Sequence, residues 1–321
     1  MSFLKTAGWS GAQQVPLAGD ASTRRYTRLK LGEKTAMLME DPDGDVGRFA
    51  QLARHLSSLG LSAPQIFAEA PGLLLLEDFG DDLVSKLAKT SDTEKQLYIT
   101  ATDALIALHK HPAPDTLPVA TPDALTQMTD LAFTCYATYA GHPNPSAQAA
   151  TVAALKPLLD HFGAPENIMI LRDYHAENVL FLPERKGAAQ AGLLDFQDAM
   201  IGHRAYDLAS LIHDARRTPL EGTGEACVLH YLDETGVEEA TFRTSLAVLG
   251  AQRNLRILGI FARLARVRQK PHYIDFIPTT WTHLQRDLAH PVLAPVKALL
   301  DRHLPAPTPE ILNRLKSCPT P

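Results

Sequence analysis

The sequence predicts an α+β fold in two lobes, a small β-rich lobe over residues 1–79 and a larger helical lobe over residues 80–321. Three observations carry this expectation. The first eighty residues read as short strands around one helix, the pattern turns helical from about Asp81, and one apolar hairpin interrupts the helices near residue 180. Strands therefore cluster instead of alternating with helices, which argues against the βαβ order of a Rossmann sheet. At 321 residues the chain is long enough to bury two cores.

The elements follow in order. "QQVPLAG" and "RRYTRLKL" read as strands flanking the turn "GDAST", and "GEK" turns the chain into a third strand, "TAMLME". After the loop "DPDGD", Phe49, Leu52, Leu56 and Leu59 recur at helical spacing, with Gly60 placed to end the helix. "PQIFAEAPGLLLLEDFG" predicts a hairpin that leads into the connection "LLEDFGDD". Beyond it "DTEKQLYITATDALIALHKH" is amphipathic, and Ser245 to Arg268 predicts a long helix.

Composition excludes several classes. A net charge of −5 leaves no electrostatic footprint for nucleic acid. Cys135, Cys227 and Cys318 are scattered without a CxxC, so neither a disulfide framework nor a zinc site is expected. The stretch "MSFLKTAGWSGAQQV" lacks the apolar core of a signal peptide. No apolar run approaches the roughly 20 residues of a membrane helix. The expectation is a cytoplasmic protein without a membrane partner.

The chemistry concentrates in "LRDYHAENVLF", Leu171 to Phe181. "VLFL" and "GLLDF" are apolar strands joined by the polar "PERKGAAQA", which predicts an antiparallel hairpin. Such a hairpin sets the start of its first strand beside the end of its second, bringing Asn178 to Asp195 across a gap of 17 residues. Asp173 lies five residues before Asn178, in the entering loop. An amide and a carboxylate suit Mg2+, which uses few protein ligands and shares phosphate oxygens. A further carboxylate can orient an attacking hydroxyl and accept its proton, so the set fits phosphoryl transfer from ATP. The spacing Asp-x4-Asn followed by a strand-borne Asp-Phe matches the catalytic set of kinases. A helix cap and a solvated turn are the plain alternative. His175, without a second histidine at ligand spacing, reads as loop-bracing.

"LRDYHAENVLF", "LLDFQDA" and "AYDLASLIHDAR" together resemble the aminoglycoside phosphotransferase-like, or choline-kinase-like, small-molecule kinases. "DFQDA…YDLASL", "GDASTRRY" and "QRNLRILGIFARLARVRQKPHY" are similar to the bacterial anomeric sugar kinases acting on N-acetylmuramate and N-acetylglucosamine. The resemblance spans most of the chain and implies a two-lobed protein-kinase-like fold. It implies Asp173 as the base, Asn178 and Asp195 as Mg2+ ligands, and Asp207 as a brace for the catalytic loop. Asp207 also reads as a plain helix-start acid facing the helix dipole.

The N-terminal lobe departs from the kinase pattern. "GDASTRRY" holds one glycine, "TAMLME" carries no lysine, and the next helix carries no glutamate. Ser22, Thr23 and the backbone beside them can meet phosphate oxygens, and Arg24 and Arg25 are the cations available to neutralise them. The two arginines alternate across a strand, so one of them faces the nucleotide; a cationic edge strand is the bland reading. Glu77, Asp78 and Phe79 form the expected hinge, where backbone groups would meet an adenine ring, or are simply the end of a buried strand.

On the predicted long helix, Arg253 points from the middle of an apolar stripe with Arg256 at its border. A buried guanidinium requires an acidic partner, either a ligand or a carboxylate such as Asp198 or Asp207. Asp198 is placed to meet sugar hydroxyls or to serve as a loop acid. The basic stretch from Gln252 to Lys270 favours a neutral or anionic acceptor over a polycationic aminoglycoside. The sequence thus predicts an ATP- and Mg2+-dependent kinase for an amino sugar, acting in peptidoglycan recycling. Its rivals are a kinase for an aminoglycoside, a choline-like alcohol or homoserine, and a nucleotide-binding pseudokinase.

Overall fold

A computed structural model describes residues 3–17, 24–42 and 44–317. The chain forms two compact units, one of Met1–His111 with Ala176–Asp198 and the other of Pro112–His175 with Ala199–Pro321. The α+β expectation is met, with a small antiparallel sheet near the N-terminus and helices through most of the remainder.

In the first unit, the short helix α1 (Phe3–Thr6) precedes five antiparallel strands. These are β1 (Gln13–Pro16), β2 (Arg25–Leu31), β3 (Lys34–Glu40), β4 (Ile66–Ala70) and β5 (Leu73–Leu76), in spatial order β1-β2-β3-β5-β4. Alternation assigns the two faces. Leu29, Ala36, Leu38 and Leu75 form one buried face, covered by Phe3, Leu4 and Trp9. Tyr26, Arg28, Met37 and Met39 lie on the other, since Tyr26 pairs with Met39 and Arg28 with Met37. Helix α2 (Val46–Ser58) is capped by Asp45, whose Oδ1 accepts from the Arg48 N–H at 2.9 Å. It buries Phe49, Leu52 and Leu56, and Gly60 follows its end with φ +78°, a conformation that favours glycine.

The segment after β5 is held by arginines. Arg28 reaches Asp78 at 2.8 Å, Asp81 at 2.8 Å and the Gly80 carbonyl at 2.9 Å. Arg185 binds Glu77 at 2.5 Å and stacks 5.0 Å from the Phe79 ring centroid. The unit is completed by α3 (Val84–Leu87), α4 (Ser91–Leu108) and a hairpin of β7 (Val179–Phe181) with β8 (Ala191–Leu193). Val179 pairs with Leu193 and Phe181 with Ala191, the antiparallel pairing expected from the sequence, but β8 ends at Leu193, so Asp195 and Phe196 follow the strand where the sequence placed them on it.

The second unit carries a strand pair the sequence did not reveal, β6 (Ile168–Ile170) with β9 (Met200–Gly202). Three apolar residues on each side are too few to show a period of two. Its helices are α5 (Pro122–Met128), α6 (Pro145–Phe162), α7 (Ala205–Ile212), α8 (Thr223–Thr235), α9 (Glu239–Val267), α10 (Ile277–Leu288), α11 (Ala294–His303) and α12 (Pro309–Ser317). Helix α9 begins six residues before the expected Ser245 and is buried well beyond one stripe. Gln252, Asn254, Leu255 and Leu258 are buried alongside Leu249, Arg253 and Ile257, whereas Val267 near its end is exposed. The reason is packing on several sides, against α6, α7, α10 and a π-helical segment over Ala132–Ala137.

That last contact needs a residue without a side chain, because a Cβ on Gly259 would overlap the Leu131 carbonyl. Gly259→Ala is expected to destabilise the protein by about 1–3 kcal/mol through overpacking. The midpoint of urea unfolding measures it.

Candidate active site

In the first unit, the hairpin delivers Asn178 to Asp195. Asn178 Nδ2 donates to Asp195 Oδ2 at 3.4 Å, and the Leu194 N–H donates to the Asn178 carbonyl at 3.0 Å. Asp195 has φ +56°, one of three non-glycine residues with positive φ among those described. Such a backbone is held by its surroundings and points to a functional position. The next residue supplies the anchor: Phe196 is fully buried and packs 4.7 Å from Phe49 of α2. Gln197 adds a second tether. Its Nε2 donates to Asp195 Oδ1 at 2.8 Å, and its carbonyl accepts from Arg48 Nε at 2.9 Å.

Among the described residues no group of three or more His, Cys, Asp or Glu side chains converges. Asn178 and Asp195 together offer an amide oxygen and a carboxylate, a donor set of the kind that suits Mg2+ shared with phosphates. The residues present fit the metal.

A cavity of about 170 Å3 lies in the same unit, lined by Arg24, Met39, Asp41, Gly44, Asp45, Arg48, Phe49, Gln197 and Asp198. Arg24 Nε lies 3.2 Å from Asp41 Oδ2, and its Nη1 lies 3.5 Å from Asp195 Oδ1. Burial by itself lowers the Arg24 pKa, but Tyr26, Asp195 and Asp41 more than offset it and hold the guanidinium charged. Arg25 points the other way, 70% exposed and 3.7 Å from Glu40. Ser22 and Thr23 lie outside the described residues. The Glu77 and Asp78 side chains are engaged by Arg185 and Arg28, and the Glu77 N–H donates to the Gln65 carbonyl at 2.8 Å. Asp198 is exposed, and Gln197 Nε2 approaches its Oδ2 at 3.5 Å.

In the second unit, Asp207 sits in the first turn of α7 and is fully buried. It accepts from the Leu171 N–H at 2.6 Å and from the Arg172 N–H at 2.8 Å. Arg172 is a second positive-φ residue, at +72°, directly before Asp173. Ser210 Oγ donates to the Arg172 carbonyl at 3.2 Å, closing the brace. Burial drives the Asp207 pKa up to about 6 against the pull of those two backbone donors.

Asp173 is half-buried. Burial pushes its carboxyl up, and the guanidiniums of Arg256, Arg253 and Arg172 outweigh that and hold it below its ordinary value. His175 is buried, and its pKa falls to about 3 through burial and the charge of Arg216. Arg216 Nη1 donates to His175 Nε2 at 3.3 Å, which only a neutral imidazole accepts. Arg253 is 4% exposed, and its Nε and Nη1 have no hydrogen-bond partner among the described residues. Burial lowers its pKa, while Tyr206, Asp173 and Asp214 act in the opposite direction. Among the carboxylates proposed from sequence, Asp207 also feels the Arg253 charge, but Asp173 and Asp214 are neighbours that sequence reasoning missed. Asp41, Arg48 and Gln197 were missed as well, and only the register Arg25↔Glu40, extended by one residue, would have placed Arg24 opposite Asp41.

Residues 13–240 match the APH phosphotransferase enzyme family. The chain is 37% identical to an N-acetylmuramate/N-acetylglucosamine kinase of Caulobacter vibrioides, over 96% of each chain. It is 29% identical to a protein of the same name from Pseudomonas aeruginosa, over 91% of this chain and 90% of the relative. A choline/ethanolamine kinase family protein from Mesorhizobium loti shares its fold at a TM-score of 0.59 and 16% identity, over 98% of this chain and 96% of that one. Among the described residues no helix is long and apolar enough to cross a membrane.

Asp207 carries a pH signature. Its folded pKa of about 6 exceeds the ordinary 3.8, so between those values the folded state holds a proton that the unfolded chain has released. Stability from this group is full below about pH 4 and is lost as pH rises through 6, by about 3 kcal/mol in all. Urea midpoints of wild type and Asp207→Asn, compared from pH 4 to pH 7, should diverge with that sign.

Proposed function

The chain belongs to the APH phosphotransferase enzyme family, and from that premise we propose that it transfers the γ-phosphate of ATP to the anomeric hydroxyl of N-acetylmuramate or N-acetylglucosamine. The product is the sugar 1-phosphate, made in the cytoplasm for reuse of cell-wall precursors. Near-complete alignment with relatives named N-acetylmuramate/N-acetylglucosamine kinase supports the acceptor. The single structural observation that carries the reading is Asp173, a half-buried carboxylate kept ionised by Arg256 and Arg253 on a loop locked by Asp207.

On this reading residues 1–79 serve the nucleotide and residues 80–321 serve catalysis and the acceptor. Asp173 accepts a hydrogen bond from the sugar hydroxyl, orients it in line with the γ-phosphorus and takes its proton as the new O–P bond forms and the bond from the γ-phosphorus to the bridging oxygen breaks, ADP leaving with that oxygen and its electron pair. Asn178 and Asp195 would hold Mg2+, which would supply charge neutralisation at the phosphate oxygens. The backbone of Glu77 to Phe79 meets the adenine ring, and Ser22, Thr23 and Arg24 meet the phosphates. Asp207 positions Asp173 through the Leu171 and Arg172 amides. On the acceptor side Arg253 and Arg256 favour an anionic or acyl-bearing sugar, since a polycationic aminoglycoside would be repelled by them. Asp198 is left to bind hydroxyls.

Incubating the protein with ATP, Mg2+ and each sugar, and reading the product by 31P NMR, tests the reaction. A phosphate coupled to the anomeric proton supports it; a 6-phosphate, or turnover only on choline or an aminoglycoside, sinks the acceptor assignment. Asp173→Asn is expected to lower kcat by about 10²–10⁴-fold with little change in ATP binding.

A further inference from the structure

A kinase-type nucleotide lobe grips phosphates with a strand lysine that is paired to a helix glutamate. Here β3 carries Met37, Leu38 and Met39 in place of that lysine, and Met39 itself lines the cavity. Alternation along the strands puts Arg24 on the same face as Met39, one strand away, and Arg25 on the opposite face. Extending the register by one residue sets Arg24 against Asp41, and the two form an ion pair at 3.2 Å. Asp41 is buried, and a Cβ on the neighbouring Gly44 would overlap its carboxylate, so the acid is tightly housed. The other end of the guanidinium faces Asp195 at 3.5 Å.

Resting on the reading above, we propose that Arg24 and Asp41 replace the missing lysine–glutamate pair, and that Arg24 acts as an exchangeable counter-charge. Without nucleotide it neutralises Asp195. When a divalent cation arrives with a nucleotide, the cation takes over Asp195 and the guanidinium turns to the phosphates, pivoting on Asp41. Planar N–H donors suit phosphate oxygens better than an ammonium does. The arrangement couples metal to nucleotide, because a metal ion alone must compete with Arg24 for Asp195.

The coupling predicts shifts of opposite sign in one variant. Arg24→Met should bind Mn2+ alone more tightly, by roughly tenfold, because a cation beside the ligand carboxylate is removed. The same variant should bind ADP in the presence of Mn2+ roughly tenfold or more weakly, through loss of a charge-assisted contact. Electron paramagnetic resonance of free Mn2+ and calorimetry with ADP read the two quantities without any acceptor. Arg24→Lys keeps the charge, and should leave Mn2+ binding near wild type while restoring part of the ADP affinity. Thermal unfolding checks that each variant is folded; should Arg24→Met not fold, the wild-type-like Mn2+ affinity and intermediate ADP affinity of Arg24→Lys carry the test. Unchanged ADP affinity, or Mn2+ and ADP binding weakened together, overturns the proposal. Because neither measurement uses a sugar, a wrong acceptor leaves this result standing. Formation of sugar 1-phosphate without the opposed shifts removes this inference alone.

Discussion

One buried carboxylate fixes the geometry on which the rest of the second unit's chemistry depends. Asp207 is fully buried and spends both oxygens on the backbone N–H groups of Leu171 and Arg172. Without it those donors would be left unsatisfied in the interior, at a cost of about 1–3 kcal/mol each. They are also the amides of a strained turn, since Arg172 has φ +72° and a large side chain. A carboxylate buried so deeply is itself unfavourable, as its raised pKa shows. The fold tolerates both costs at one place, immediately before Asp173.

The first unit meets a similar problem differently. Asp195 also sits at positive φ, but its supports are side chains: Phe196 wedged against Phe49, and Gln197 tied to Arg48. Helix α2 therefore sets the position of the loop through an apolar contact and an arginine, at the place where a glutamate is absent. Arg28 and Arg185 similarly pin the segment after β5 by its acidic side chains. Throughout this unit arginines reach to carboxylates on other strands or loops.

Much of this was legible in the sequence, for reasons that can be named. The hairpin β7–β8 was readable because its strands are apolar, its connection is polar and its register follows from antiparallel pairing, so the approach of Asn178 to Asp195 follows as well. Helix α2 announced itself by its spacing and by Gly60. The strands β6 and β9 did not, being three residues each. Arg24 and Arg25 could be separated only once the register of β2 with β3 was known, since either parity satisfies the sequence. Asp41, Gln197 and Asp214 escaped notice because each is an ordinary loop or helix-end polar residue until the fold gives it a partner. Arg253 was recognised as buried, but its surroundings were not, because α9 is covered on several faces and its neighbours come from distant segments.

The electrostatics around Asp173 also bear on what kind of base it would be under the proposed function. A carboxylate held below its ordinary pKa is a poor proton acceptor by Brønsted reasoning. That would be a defect if full deprotonation had to precede attack. In a loose phosphoryl-transfer transition state bond formation to the nucleophile lags, and positioning and charge stabilisation supply most of the rate. A low-pKa carboxylate suits that regime, because it stays an acceptor at any working pH and orients the hydroxyl through one charge-assisted hydrogen bond. The His175 imidazole stays neutral well below pH 7 and accepts from Arg216. Arg253 and Arg256 then have two compatible effects. They keep Asp173 ionised, and under the proposed function they would also offer positive charge to the anionic or acyl oxygens of an acceptor.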